Sequence, residues 1–168
     1  MYYSHRHHEP ETKTSRMISL SGFLPREPKA ANSIEADSTQ PMTKFNSVAA
    51  TFPVADIDST IRWYESELGF TAYPFPQTPP YVFAIVSRNT VEIMFQRVRG
   101  YEKPDLYSRR DGGVWDAYIR MEGVKEFYES VKDRVEIVLP LRQQPYGDWE
   151  FEVKDPNGYV LVFSELID

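Results

Sequence analysis

The chain has no cysteine among its 168 residues. That removes disulfides, thiolate metal sites and a cysteine nucleophile together, and leaves the fold indifferent to redox compartment, with cytosol as the default. Histidine is almost as scarce. His5, His7 and His8 stand together in "SHRHHEP" and no other histidine follows, so from residue 9 onward the chain lacks the commonest neutral metal ligand. No apolar run approaches membrane-spanning length, and the N-terminal stretch lacks the apolar segment of a secretory signal. Basic charge is also short: 19 Lys and Arg stand against 25 Asp and Glu, a net charge of −6. An acidic balance disfavours nucleic-acid phosphate as a partner.

What is present is a globular composition with 41% hydrophobic and 14% aromatic residues, enough for a core without covalent staples. Residues 1–41 read differently. Pro, Ser, Thr, Glu and Lys dominate, and Arg6, Lys13, Arg16, Arg26 and Lys29 cancel Glu9, Glu11, Glu27, Glu35 and Asp37. Such a stretch cannot bury enough apolar surface to offset ordering, so residues 1–43 are expected to be a disordered tail. Met42 directly precedes "TKFNSVAATFPV" and is a candidate natural start, which mass spectrometry of the native protein tests.

Patterning sharpens from residue 45. "FNSVAATFPV" is strand-like. In "ADIDSTIRWYESELGF", Ile57, Ile61, Tyr64 and Leu68 form one helical stripe, with Asp56 placed to cap its start and Gly69 its end. "TAYPF" is a proline-bounded edge strand, and "YVFAIVS" and "VEIMFQ" pair across "RNT". The second half repeats the order: strand "VWDAYIRM", helix "GVKEFYESVKD" with Val124, Phe127, Tyr128 and Val131 on one face, then strands "VEIVLPL", "WEFEVK" and "YVLVFSEL". Laid without gaps, Phe83 meets Phe151, Ile85 meets Val153, Asn89 meets Asn157, Ile93 meets Leu161 and Phe95 meets Phe163. The expected fold is α+β: tandem βαβββ modules forming a curved mixed sheet around a cleft. Module one takes 44–96, a connector 97–113 with a short helix after Pro104, and module two 114–166, within a domain of 44–168.

"VADIDSTIRWYESELGF" early and "DPNGYVLVFSE" at the end make residues 45–166 resemble the vicinal oxygen chelate superfamily, the group of glyoxalase I, bleomycin-resistance proteins, fosfomycin-resistance enzymes and extradiol dioxygenases. "VEIMFQR" and "PYGDWEFEVKDPNGYVLVF" look most like the bleomycin-resistance branch. The Asp155-Pro156-Asn157-Gly158 stretch itself reads as a turn: Pro presets φ, and Asn-Gly accepts the positive φ of a tight connection.

Strand alternation then assigns faces. Val91, Ile93 and Phe95 suit the helix side, leaving Glu92, Met94 and Gln96 on the concave side. Likewise Val160, Val162 and Ser164 oppose Tyr159, Leu161 and Phe163; Asp116, Tyr118 and Arg120 oppose Ala117, Ile119 and Met121; Ala49 and Thr51 oppose Val48, Ala50 and Phe52. Tyr146 precedes a strand where the bleomycin-resistance proteins have a ligand-stacking aromatic. Trp149 alternates with Phe151 and Val153 and belongs with the core. The candidate ligand-binding residues are Thr51, Glu92, Met94, Asp116, Tyr118, Arg120, Tyr146 and Val162. For several, a structural role stands beside a binding one. Glu92 either pairs with Arg120 or a lysine across strands or contacts ligand; Asp116 and Arg120 are a plausible structural pair; Tyr118 either packs or binds.

The metal enzymes of the superfamily resemble one another in using His and Glu ligands, one on each of four strands. Carried over, those positions fall on Ala49, on Glu92 or Met94, on Asp116 and on Val162. Ala49 and Val162 cannot coordinate, so no metal and no cofactor are expected. The resemblance implies a homodimer with clefts at or near the subunit interface, capturing a planar small molecule whose positive charge the acids would favour, with bleomycin-type antibiotic resistance as one role. The competing class is a lyase or isomerase using Glu92 or Asp116 as general base, with Arg120 or Tyr118 stabilising an enolate, or a divalent ion held weakly by the two acids. A third is a protein-interaction module built on "YPFPQTPPYVF". No catalytic residue, nucleic-acid partner or membrane partner is assigned.

Overall fold

The computed structural model describes residues 43–166; the expectations for residues 1–42 lie outside them. The chain runs β1 (Ala50–Val54), α1 (Ile57–Leu68), β2 (Thr71–Phe75), β3 (Phe83–Arg88), β4 (Val91–Arg97), a single 3-10 turn at Tyr107–Arg109, β5 (Ala117–Arg120), α2 (Val124–Val131), β6 (Glu136–Gln143), β7 (Asp148–Lys154) and β8 (Val160–Leu166). The first four strands form a sheet in the order β1-β4-β3-β2, and the last four form a second in the matching order β5-β8-β7-β6. In each, the first strand runs parallel to the fourth and the other neighbours are antiparallel. The duplicated βαβββ architecture is therefore present strand for strand.

Local chemistry explains the helices. Asp56 is extended, and its carboxylate accepts from the Asp58 N–H at 2.9 Å, satisfying an orphan donor of α1. Gly69 adopts φ 67°, where a Cβ would be strained, and its N–H closes on the Tyr64 carbonyl. Ile57, Ile61, Tyr64 and Leu68 are buried as one stripe. On α2, Val124 and Val131 are buried, while the half-buried Phe127 and Tyr128 set their rings 5.0 Å from Phe163 and 5.2 Å from Phe151. No side chain of α2 caps its start. Instead the Glu165 carboxylate, from β8, accepts from the Gly123 and Val124 N–H groups at 3.0 and 2.9 Å, which holds its pKa below the usual carboxylate value.

The turn at 155–158 joins the two modules. Asp155 accepts from the Asn157 and Tyr159 N–H groups at 2.9 and 2.8 Å, which closes the turn, and from the Tyr64 hydroxyl of α1 at 3.1 Å. Asn157 donates to Thr60 on the same helix at 3.1 Å. Tyr159 stacks on Phe52 with centroids 4.0 Å apart and donates to the Pro53 carbonyl at 2.7 Å. Burial raises the Asp155 pKa despite its donors.

Two expectations need correction. The gapless match sets Phe83 and Ile85 against Phe151 and Val153, but Phe95 pairs with Ala84 and Ile93 with Val86, whereas Phe163 pairs with Phe151 and Leu161 with Val153. Ala84 and Val86 are thus the true counterparts and are fully buried. The β3–β4 connection is the tight Asn89-Thr90 turn, while β7–β8 needs Asp155 to Tyr159, and a slip of one residue exchanges the faces of a strand. Second, β1 starts at Ala50, so Val48 is not core but 95% exposed. Pairing with β4 begins at Ala50 and Ile93, leaving the edge of β4 free at Val91 and Glu92 and opening a cavity there.

Candidate functional site

Alternation along β7 places Asp148, Glu150 and Glu152 on one face, opposite Phe151 and Val153. All three acids are buried. Beside Glu150 stands Ser164 and beside Glu152 stands Val162, on β8; Tyr118 and Arg120, on β5, flank Val162 and Ser164 in turn. Three adjacent strands therefore lay out one surface.

Each acid has its donors. Glu150 accepts the hydroxyls of Tyr118 and, at 2.9 Å, Tyr146. Asp148 accepts from Ser164 at 3.0 Å and pairs with Arg120 at 3.3 Å. Glu152 accepts from the Tyr107 hydroxyl at 2.7 Å and the Trp115 indole N–H at 2.9 Å. Tyr107 and Trp115 come from the connector, which here crosses the sheet. Gly113 allows that crossing, because a Cβ on it would meet the Tyr107 ring at 2.3 Å. Against the three acids stand Arg120, mostly exposed, and Arg142, which lies across from Glu150 on β6. The phenols feel this directly. Burial, then the hydrogen bond to Glu152 or Glu150, pushes Tyr107 and Tyr118 each up to about 12, and the same causes push Tyr146 up.

The result is a set of aromatic rings whose hydroxyl or N–H ends are tied to buried acids and whose faces meet solvent: Tyr146 is 60% exposed, and Trp115 and Tyr118 are exposed with centroids 5.9 Å apart. The Arg120 guanidinium already lies 5.4 Å from the Tyr118 centroid. Such rings suit a cation.

Of the residues assigned from sequence, Tyr118, Arg120 and Tyr146 come together around Asp148 and Glu150. Glu92 lines, with Tyr118 and Arg120, the cavity of about 380 Å³ between β4 and β5; it makes no ion pair with Arg120, which pairs with Asp148 instead. Val162 lies beside Tyr118, fully buried. Thr51 and Met94 sit side by side in the other sheet. Asp116 does not join the group. Its carboxylate binds Lys103 at 3.0 Å and the Val160 N–H at 2.8 Å, fastening the connector to β8. Asp148, Glu150, Glu152, Tyr107 and Trp115 were missed. The signal for the acids was present in "DWEFEVK", where Asp148, Glu150 and Glu152 alternate with apolar residues.

The metal pattern of the resembling enzymes does not fit these residues. Ala49 and Val162 offer no donor, Asp116 is committed to Lys103, and among the described residues no three His, Cys, Asp or Glu side chains converge on a possible ion. Nor is any helix among the described residues long and apolar enough to cross a membrane.

The family model "Glyoxalase/Bleomycin resistance protein/Dioxygenase superfamily" matches residues 44–163. The chain belongs to this superfamily. Among solved structures of the superfamily's fold, TioX from Micromonospora sp. ML1 is 21% identical, with 73% of this chain and 100% of that one covered and a TM-score of 0.58. A bleomycin-binding protein from Streptomyces verticillus, complexed with copper(II)-bleomycin, is 21% identical over 73% and 97% of the two chains with a TM-score of 0.54. A glyoxalase-related enzyme from Clostridium phytofermentans is 15% identical over 76% and 100%, with a TM-score of 0.58. No curated protein matches.

Proposed function

We propose that this superfamily member is a small-molecule binding protein that captures a planar cationic ligand without a metal. The observation that carries this is the row of buried acids on β7 tied to the rings of Tyr107, Trp115, Tyr118 and Tyr146, the last three exposed. A phenol donating to a carboxylate is held in place and its ring face is made more electron-rich, so stacking and charge attraction act on the same ligand. The low local dielectric strengthens the pull of the acids. Capture is stoichiometric, and no bond is made or broken. The S. verticillus protein, with bleomycin in its complex, supplies the ligand class to try first.

Calorimetry of the full chain tests this with proflavine, uncharged acridone and metal-free bleomycin. Binding of the cations, with acridone roughly tenfold weaker, supports the reading. Absence of binding by both cations would sink it, and turnover of a 2-oxoaldehyde adduct would replace it with the enzyme reading.

The same reading includes a homodimer. On the concave face of the first sheet, Tyr73, Ile85 and Met94 lie in one row and Phe75 and Phe83 in the next, and Tyr73 and Phe75 are 59% and 63% exposed. A second copy covering this apolar face would complete the cleft wall. Sedimentation equilibrium of the chain and of a Phe75→Glu variant checks it: a dimer that the substitution dissociates is expected, and a monomer at high micromolar concentration would remove this part.

A further inference from the structure

A second hollow adjoins the cavity between β4 and β5 and shares Thr90, Val91, Ile119 and Arg120 with it. It has a volume of about 640 Å³, within the range of small-molecule sites, and Phe70, Met121, Phe127 and Phe163 give it an apolar lining. It is built by both modules: Phe70 and the β3–β4 turn from one, the end of β5, α2 and β8 from the other. Tyr118 leaves β5 toward the acid-backed rings, Arg120 reaches Asp148 and also lies on this lining, and the buried Ile119 lines both hollows. The two sites therefore adjoin at Arg120.

Arg88 lines it, and its guanidinium is fixed there. It donates to the Leu68 carbonyl, an acceptor left over at the end of α1, and its Cζ sits 4.9 Å from the Phe127 centroid. A Cβ on Gly69 would lie 3.5 Å from Nη1, so the arginine packs close against the backbone. Capping α1 accounts for one of its five N–H donors. Among the described residues no carboxylate lies within ion-pair distance of it, although acids outnumber bases in the chain. An immobilised guanidinium without an acid partner, beside a pocket of phenylalanines, matches a planar carboxylate attached to an apolar body. Glu122, also on the lining, opposes a second anionic group.

We propose that this inter-module pocket binds a small monocarboxylic acid with an aromatic or branched apolar body. The carboxylate takes the free edge of the Arg88 guanidinium, and the body lies against Phe70, Phe127 and Phe163. This site is chemically the reverse of the acid-backed rings, so it selects a ligand of the opposite charge.

The test is a titration of the full chain with phenylacetate and with neutral phenylacetamide, followed by amide chemical shifts. Phenylacetate is expected to bind saturably and to shift Asn89, Thr90 and Met121, with the amide about tenfold or more weaker, the effect of one charge-assisted contact. Arg88→Gln keeps a donor for the Leu68 carbonyl and should weaken phenylacetate by at least about tenfold. Met121→Trp, which fills the hollow from the other wall, should abolish phenylacetate binding while leaving proflavine binding unchanged. No saturable shift with phenylacetate, equal affinity for acid and amide, or full affinity in Met121→Trp would each overturn the proposal.

Discussion

The two modules share a topology and a helix-side core, and part company on the other face of the sheet. Toward the helices, Ile93 and Phe95 have their counterparts in Leu161 and Phe163, buried in both. Toward the concavity, the first sheet presents Tyr73, Phe75, Phe83, Ile85 and Met94, with Tyr73 and Phe75 exposed. The second presents Asp148, Glu150 and Glu152, and hides them beneath Tyr107, Trp115, Tyr118 and Tyr146. A duplicated unit needs its helix–sheet contact in both copies simply to fold. The concave surface is free of that demand, and it is there that the copies differ: two apolar rows beside Glu92 and Gln96 in the first, a row of buried acids in the second.

The largest effects should come from the shared side. Phe95→Ala and Phe163→Ala each remove a buried ring and are expected to cost about 3–5 kcal/mol, nearly alike, in urea unfolding; a large inequality would show the modules to be less equivalent than their strand order. On the concave side the copies should diverge. Tyr118→Phe leaves the buried Glu150 short of a donor and should cost about 1–3 kcal/mol, whereas Tyr73→Phe in the first sheet should stay within about 0.5 kcal/mol. Equal costs would mean that the acid network is not a structural unit.

Gly113→Ala sharpens the comparison in another way. A methyl group at a φ of 76°, overlapping the Tyr107 ring, should displace that ring from Glu152, quench or shift the fluorescence of the neighbouring Trp115, and cost about 1–2 kcal/mol. Unchanged tryptophan emission would show the connector to be independent of the acids.

The smallest effects are on pH dependence, and two acids should act in opposite directions. Burial raises Asp155, so its contribution to stability is greatest below its unfolded pKa and is lost as pH rises through the higher folded value. The backbone donors of α2 lower Glu165, so its contribution is present above its unfolded pKa and is lost as pH falls through the lower folded one. Urea midpoints from pH 3 to 7 for Asp155→Asn and Glu165→Gln, each against the parent, should therefore diverge with opposite slopes. Parallel profiles would contradict both assignments.

Much of this was legible in the residues. The stripe Ile57, Ile61, Tyr64 and Leu68, the caps Asp56 and Gly69, and the Asp-Pro-Asn-Gly turn are local patterns, and local patterns are written within a few residues of one another. The concave placement of Tyr118, Arg120 and Glu92 followed from alternation alone. What failed depended on distance along the chain or on turn length. Nothing near Asp116 announces Lys103, and nothing near Glu165 announces the start of α2. The pairing of Phe95 with Ala84 rather than Phe83 is set by a connection only two residues long, which a gapless comparison cannot sense. The acids of β7 were in plain view at every second position, but charge on a strand usually faces water. Their burial depends on Tyr107 and Trp115, which lie 45 and 37 residues away from Glu152.

The bond between Tyr64 and Asp155 spans 91 residues. On the ribosome, the first half emerges with that hydroxyl unmatched and waits while nearly the whole of the second half is made. Joining the halves is thus among the last events of synthesis, and a nascent chain arrested ahead of Asp155 would show chaperones the Tyr64 hydroxyl and the Phe52 ring that the finished molecule covers with Asp155 and Tyr159.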